Sequence, residues 1–300
     1  MQYRLKSIIS NYLPECIAKN FNDINAETFE KATEIRLRAE KPILIKAGIE
    51  IFLPYVVSCR DIAQTLELMS GYSLYAIEDE LSRGYMTLPG GHRVGITGRA
   101  VTENGAIKTL KNISALNLRI SHEIIGCCRE IESLVAKPSA YHTMIISPPG
   151  CGKTTLLRDI VRVLSESGFN VAVADERSEI AGCYMGLAQN NLGNRTDVLD
   201  ACPKAEGIMM LLRAMSPQVI AADEIGREND IRAIEEVLCA GVKVLCTVHA
   251  SSLDEVTGKP VLGELIKKNI FERYVVVSAR CGPGTIEAVY GKNREILYGG

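Results

Sequence analysis

The stretch "ISPPGCGKTTLLRDIVRVL", residues 146–164, decides the fold of the second half of the chain. It combines a short apolar run, a turn containing Gly150 and Gly152, a lysine followed by threonines, and a segment with helical spacing. Inward-pointing N–H groups, an ammonium group and the amino end of a helix all stabilise a bound anion. The stretch therefore predicts a strand, a phosphate-binding loop and a helix, in that order.

The usual pattern of such a loop is G-x-x-x-x-G-K-[ST], and the chain departs from it only at the first position, where it has Ser147. Lys153 is expected to contact the β- and γ-phosphates, and the Thr154 hydroxyl to bind Mg²⁺. We therefore expect ATP and Mg²⁺ as ligands. The residues predicted to bind the nucleotide are Pro148, Pro149, Gly150, Cys151, Gly152, Lys153, Thr154 and Thr155.

Polar residues also follow three other apolar runs. "QVIAADE" ends in Asp223 and Glu224, "VAVADERSE" contains Asp175 and Glu176, and "VLCTVHA" contains His249. The carboxyl ends of parallel strands meet at one edge of a sheet, so these groups should converge with the phosphate loop. We predict that Asp223 supports the magnesium ion and that Glu224 polarises the attacking water. Asp175 and Glu176 remain alternatives for the base, and His249 is a further catalytic candidate.

The chain divides by pattern into two predicted domains. Residues 123–300 alternate apolar strands with helices, which predicts an α/β domain with a predominantly parallel sheet. Its strands are expected at "HTMIIS", "NVAVAD", "QVIAAD" and "KVLCTVH", and a helix is expected around residues 124–135.

Residues 1–122 predict a smaller α+β domain. An amphipathic helix is expected within residues 1–21, and two strands joined by a turn are expected over residues 33–48. In residues 58–73, Ile62, Leu66 and Met69 recur with helical spacing. Pro-Gly-Gly at 89–91 and Asn-Gly at 104–105 predict hairpin turns between later strands.

Composition restricts the function classes. The formal net charge is -2 and 23% of the residues are charged, which argues against a nucleic-acid-binding protein. The longest apolar runs have strand length, far below the roughly 20 residues that cross a bilayer, so we expect a cytoplasmic chain. The 10 cysteines lack C-x-x-C spacing and are expected to be thiols rather than disulfides or zinc ligands.

Residues 210–250 resemble the segment between the Walker B and histidine boxes of the type II and type IV secretion ATPases. That family's Leu-Arg pair is matched by Leu212 and Arg213, its Gly-Glu box by Asp223 and Glu224, and its final box by residues 247–250. Its aspartate box is matched by residues 173–179. The resemblance implies a RecA-like P-loop NTPase fold and a ring, expected to be a hexamer, with ATP between subunits.

Further stretches, including "GGHRVGITGRAV", "NLRISHEI" and "DERSEIAG", are similar to a sporulation-specific group of proteins over nearly the whole chain. This similarity implies a mother-cell ATPase that powers or gates a channel to the forespore. Its partners would be further copies of itself and membrane-embedded channel components, which would hold it at the membrane. Candidate arginines for completing a neighbouring subunit's site are Arg93, Arg99, Arg119 and Arg195.

Two other functions remain open at this stage. RecA-like domains also occur in NTPases that nucleic acid stimulates, and a cluster of arginines in the first domain would favour that function. A nucleotide-responsive scaffold would use the same loop to bind ATP without appreciable turnover. Measured rates and a salt-dependent DNA titration would separate these alternatives.

Overall fold

The computed structural model describes residues 4–71 and 78–299. Spatial contacts divide the chain into two compact units, Met1–His122 and Glu123–Gly300. Each unit buries its own apolar cluster, because each has strands with one or two apolar faces that need covering.

The first unit is built on an antiparallel sheet. Its helices are α1 (Arg4–Ser10), α2 (Glu15–Ala18), α3 (Ala26–Glu30), α4 (Cys59–Met69) and α5 (Glu78–Arg83). Its strands are β1 (Glu34–Arg38), β2 (Pro42–Ala47), β3 (Ile49–Val56), β4 (Tyr85–Leu88), β5 (His92–Glu103) and β6 (Ala106–Arg119). Within the described residues the strand order is β3-β2-β1-β6-β5-β4.

The alternating burial of these strands explains the first unit's core. Ile35 and Leu37 of β1 are fully buried, whereas the alternate residues Glu34, Arg36 and Arg38 are half-buried. The predicted helix is confirmed as α4, which begins at a capping box formed by Ser58 and Asp61 and buries Ile62, Leu66 and Met69. The predicted hairpin turns lie between β4 and β5 and between β5 and β6, as expected.

The chain's beginning is helical but interrupted. We predicted an amphipathic helix within residues 1–21, and the described part contains α1, α2 and a 3-10 turn at Lys19–Asp23 instead of a continuous helix. Pro14 lies between the two helices with an extended backbone, and a proline cannot donate the hydrogen bond that a continuing helix needs.

The second unit is an α/β layer structure. Its helices are α6 (Glu132–Val135), α7 (Lys153–Glu166), α8 (Lys204–Ala214), α9 (Glu228–Cys239), α10 (Leu253–Gly258) and α11 (Pro260–Lys267). Its strands are β7 (Thr143–Ser147), β8 (Val171–Asp175), β9 (Thr196–Asp200), β10 (Val219–Ala222), β11 (Lys243–His249), β12 (Arg273–Ser278), β13 (Thr285–Gly291) and β14 (Ile296–Gly299).

These strands form, among the described residues, a sheet in the order β14-β13-β12-β7-β11-β10-β8-β9. Strands β12 through β9 in that order are parallel, and only β13 and β14 add antiparallel pairs. Successive residues of β7 enter different apolar clusters: Ile145 packs with α7, and Met144 and Ile146 pack with residues of α8 and α9. The prediction of a mainly parallel sheet covered on both faces is confirmed.

The predicted helix around residues 124–135 is wrong in most of its length. Helix α6 covers only Glu132–Val135, and the preceding residues form turns. The N–H groups of Gly126 and Cys128 donate to the Asp159 carboxylate on α7, at 3.0 and 2.9 Å. This tertiary partner satisfies backbone donors that a helix would have paired internally.

The 10 cysteines, all within the described residues, are free thiols in this structure. None of the helices in residues 4–71 and 78–299 combines the length and apolar character that crossing a membrane requires.

Candidate active site

The loop between β7 and α7 has the shape that its glycines predict. Gly150 and Gly152 have φ of +74° and +90°, a region that glycine enters without steric cost. Ser147, which stands where the usual pattern has glycine, is the last residue of β7, is not among the positive-φ residues, and donates its hydroxyl to the Pro148 carbonyl at 2.9 Å. A glycine is therefore not required there by backbone conformation.

A second chain segment supports the loop from the side. The Gly284 N–H donates to the Cys151 carbonyl at 2.8 Å. A Cβ added to Gly152 would lie 2.8 Å from the Gly284 nitrogen and 3.1 Å from its Cα, closer than real Cβ contacts. Gly152 is therefore required twice, by its positive φ and by the backbone packed against it.

One hydroxyl and one ammonium group of the loop each bond to one of the two consecutive acids after β10. Thr154 Oγ1 donates to Asp223 Oδ2 at 2.7 Å, and Lys153 Nζ donates to Glu224 Oε1 at 2.8 Å. Asp223 also accepts a hydrogen bond from the Thr247 hydroxyl on β11. The structure thus brings together the phosphate lysine, the magnesium hydroxyl and both acids that the sequence singled out.

Three basic side chains surround Glu224. Besides Lys153, His249 Nε2 lies 2.8 Å from its Oε1 and Arg177 Nη1 lies 3.2 Å from its Oε2. Burial raises the pKa of Glu224, but the bonds and charges of Lys153 and His249 outweigh burial and lower the pKa to about 2. Glu224 is therefore an anion at neutral pH, and its carboxylate is paired with the lysine that would otherwise contact a phosphate.

Asp175 and Glu176, the alternative bases, have other partners. The buried Asp175 carboxylate accepts N–H groups of Glu179, Ile180 and Ala181 at 2.8 to 3.0 Å and so fixes the turn after β8. Burial raises its pKa to about 6 despite these bonds. Glu176 pairs with Lys204 at 3.4 Å and with the more exposed Arg227 at 3.7 Å. Glu224 alone among these three carboxylates contacts Lys153 in the contacts described.

Oxygen ligands for a magnesium ion lie at the same edge of the sheet. Carboxylate oxygens of Glu179, Asp223 and Glu224 come within 4.8 Å of one another. Mg²⁺ prefers carboxylate, hydroxyl and water oxygens, so the pair formed by Thr154 and Asp223 fits this ion. A cleft of about 460 Å³ opens beside these acids, and its lining includes Glu176, Lys204, Glu224 and His249.

Lys204 belongs to this site although no sequence pattern indicated it. Its Nζ donates to the Glu224 carbonyl at 2.7 Å, and the residue is 7% exposed. A lysine at the start of a helix is normally read as a surface residue. The burial that marks Lys204 as part of the site is visible only in the structure, so the sequence carried no signal for it.

Three of the four candidate arginines, Arg93, Arg99 and Arg119, belong to the first unit, and Arg195 belongs to the second. Arg93 and Arg119 are directly opposite each other on β5 and β6, with the Arg93 guanidinium 3.6 Å from the Tyr85 ring centre. Arg99 is exposed further along β5. Arg195 precedes β9, and its carbonyl accepts the N–H of Val171 at the amino end of β8, the opposite edge from the site.

Known proteins resemble this chain over most of its length. Residues 4–297 match the family described as "Sporulation stage III, protein AA". The chain is 41% identical over 295 residues to stage III sporulation protein AA of Bacillus subtilis (strain 168), covering 96% of both chains. It is 25% identical over 253 residues to a putative type II secretion system protein E of Escherichia coli (strain K12), covering 82% of this chain and 48% of that relative.

Solved structures show the same fold. The X-ray structure of the Legionella pneumophila ATPase DotB superposes with a TM-score of 0.56 at 20% identity, covering 82% of this chain and 72% of that one. The chain therefore shares the RecA-like α/β fold of this ATPase. On the match over residues 4–297 and the 41% identity to the Bacillus subtilis protein, the chain belongs to the sporulation stage III protein AA family.

Proposed function

We propose that this chain is a Mg²⁺-dependent ATPase that works as a ring, most simply a hexamer, and powers or gates a mother cell to forespore channel. One observation carries the proposal: Lys153 and Thr154 of the phosphate loop bond directly to the consecutive acids Glu224 and Asp223. A loop that only turns between a strand and a helix has no need of these two pairs. The pairs bring together a lysine, a hydroxyl and two carboxylates, which are the groups that phosphoryl transfer uses.

The residues have separate tasks in this proposal. The Lys153 ammonium and the N–H groups at the start of α7 receive the phosphates. Asp223 and Thr154 hold Mg²⁺, which neutralises charge on the β- and γ-phosphate oxygens when it is bound. When a γ-phosphate takes Lys153, Glu224 loses its closest cation, its affinity for a proton rises, and it can accept the proton of an attacking water.

His249 keeps Glu224 in place during this exchange. Its Nε2 remains hydrogen-bonded to Glu224 Oε1 when the lysine leaves, so the carboxylate does not swing free. Asp175 and Glu176 act on the surroundings: the first fixes the turn after β8, and the second pairs with Lys204. This division favours Glu224 as the general base among the three carboxylates.

The ring and its partners rest on the family and on its secretion-ATPase relatives. Arg195, the candidate in the same unit as Glu224, precedes β9 at the opposite edge of the sheet, and an arginine from a neighbouring subunit would complete the charge neutralisation at the site. Arg93, Arg99, Arg119 and Arg195 are the residues we propose for that role. Cytoplasmic location in the mother cell, with attachment through membrane-embedded channel components, follows from the same proposal.

The test is ATP turnover per subunit over a wide range of protein concentrations, with Lys153→Ala as the blank. A specific rate that climbs with concentration supports a site completed between subunits. A flat rate above the blank means a self-sufficient NTPase and removes the intersubunit arginines. A rate equal to the blank, with or without added DNA, together with measurable ATP binding, identifies a nucleotide-responsive scaffold instead.

A further inference from the structure

We propose that Lys204 is a positioning residue of the hydrolysis site: it holds the backbone of Glu224 so that the carboxylate faces Lys153. This inference rests on the proposed ATPase function and adds a residue to it. Lys204 Nζ donates to the Glu224 carbonyl at 2.7 Å and lies 3.4 Å from Glu176 Oε2. It thereby links the first residue of α8 to the ends of two strands, β10 and β8.

The surroundings of Lys204 are those of a residue with a fixed task. Its side chain is 7% exposed, and an ammonium group removed from water is costly unless partners replace the lost hydration. It is also the first residue of α8, where the positive end of the helix dipole disfavours a cation. Helix stability therefore does not explain a lysine here, whereas the two oxygen partners do.

Glu224 needs such support because of its backbone. Its φ is +53°, a left-handed conformation that costs free energy for any residue other than glycine. Its N–H donates to Thr247 Oγ1 at 2.8 Å, and its carbonyl accepts from Lys204. Hydrogen bonds thus fix both backbone polar groups of Glu224, and the resulting backbone orientation directs its side chain to Lys153 and His249.

Lys204→Met keeps the length and apolar part of the side chain and removes the ammonium group. We expect kcat to fall roughly a hundredfold, as for a misplaced catalytic group, with the Kd for ATP within about threefold of wild type. Lys204→Arg, which retains a donor, should recover part of the lost kcat. Lys243→Met is the control, because Lys243 is a half-buried lysine that also forms an ion pair, to Glu272 at 2.8 Å, and it lies at the end of β11 opposite the site. It should leave kcat unchanged.

Two further measurements separate positioning from general damage. In a Glu224→Gln background, Lys204→Met should lower the residual rate no further, since residues that act as a unit are not additive. In amide hydrogen exchange, Lys204→Met should speed exchange of the Glu224 N–H, and Lys243→Met should not. This readout needs no turnover, so it tests the inference even if the wild type proves to be a scaffold.

The inference is overturned if Lys204→Met keeps the wild-type kcat and the wild-type exchange of the Glu224 N–H. It is equally overturned if kcat, ATP affinity and melting temperature all fall together, because Lys204 would then support the fold only. Failure of the proposed function has a different appearance: the wild type itself shows no turnover above Lys153→Ala, whatever Lys204 does to exchange.

Discussion

Replacing Glu224 with glutamine is expected to strengthen the binding of a non-hydrolysable ATP analogue while removing all but a small residual turnover of ATP. In the resting site the Lys153 ammonium is paired with Glu224 Oε1 at 2.8 Å, so an incoming γ-phosphate has to displace this carboxylate. Glutamine has nearly the same shape and no charge. It therefore leaves Lys153 free for the phosphate at a lower cost.

The size of the effect follows from the pKa of Glu224. Burial raises this pKa, and Lys153 and His249 together lower it from 4.5 to about 2. The fall from 4.5 to about 2 corresponds to roughly 3 kcal/mol in favour of the anion. Because His249 contributes part of this and the side chain is 24% exposed, we assign about half, on the order of 1–2 kcal/mol, to Lys153. That predicts a roughly tenfold lower Kd.

Fluorescence anisotropy with a labelled, non-hydrolysable ATP analogue and Mg²⁺ measures this Kd for each variant. His249→Ala is the matched control, because it removes the other close partner of Glu224 and leaves the pair with Lys153 intact. It should not strengthen binding, and Lys153→Ala should nearly abolish it. If Glu224→Gln binds the analogue no more tightly than wild type does, the ion pair does not compete with phosphate and the reasoning is refuted.

Three further predictions concern stability and titration. Asp159→Asn should destabilise the second unit by about 2 kcal/mol at pH 7. Burial raises the pKa of Asp159, but the N–H groups of Cys128 and Gly126 outweigh burial and help lower this pKa from 3.8 to about 2. That contribution is present above pH 3.8 and is lost as the pH falls through 2, so urea unfolding of the two proteins should converge in acid. Gly152→Ala should cost about 1–3 kcal/mol in strain and should lower ATP affinity more than Gly150→Ala does. A Cβ added to Gly150 meets nothing within 4 Å, so equal effects of the two substitutions would mean that the Gly284 backbone packed against Gly152 is irrelevant. The Asp175 carboxyl should titrate near pH 6 in carbon NMR, and its signal should be absent from Asp175→Asn. Its ionisation should lower the free energy of unfolding as the pH rises from 3.8 through 6, and a titration midpoint near 4 would contradict the effect of burial.

The sequence was most informative where local pattern and fold coincide. The apolar runs at β7, β8, β10 and β11 predicted a buried parallel sheet, and the glycines after β7 predicted the loop at its edge. Since parallel strands in such a sheet end at the same edge, the sequence alone predicted that the polar residues after each run lie together. Strands β9, β13 and β14 were not predicted, because most of their residues are not buried and so give no continuous apolar run.

The remaining features depend on contacts between distant residues. Turns replace the predicted helix before α6 because Asp159 supplies acceptors for Gly126 and Cys128, which are 33 and 31 residues away. The choice among three carboxylates needed the partners of each one. Asp175 bonds to its own turn, whereas Glu224 meets Lys153 across 71 residues.

The sequence by itself therefore determined the parallel sheet, the phosphate loop and the set of acids at its edge, because hydrophobic periodicity and glycine placement act within a few residues. Only the tertiary structure decided which acid is paired with the phosphate lysine, why Gly152 admits no side chain, and that Lys204 is part of the site. These are properties of packing and charge between segments, and a single residue such as Lys204 carries no local pattern that reveals its neighbours.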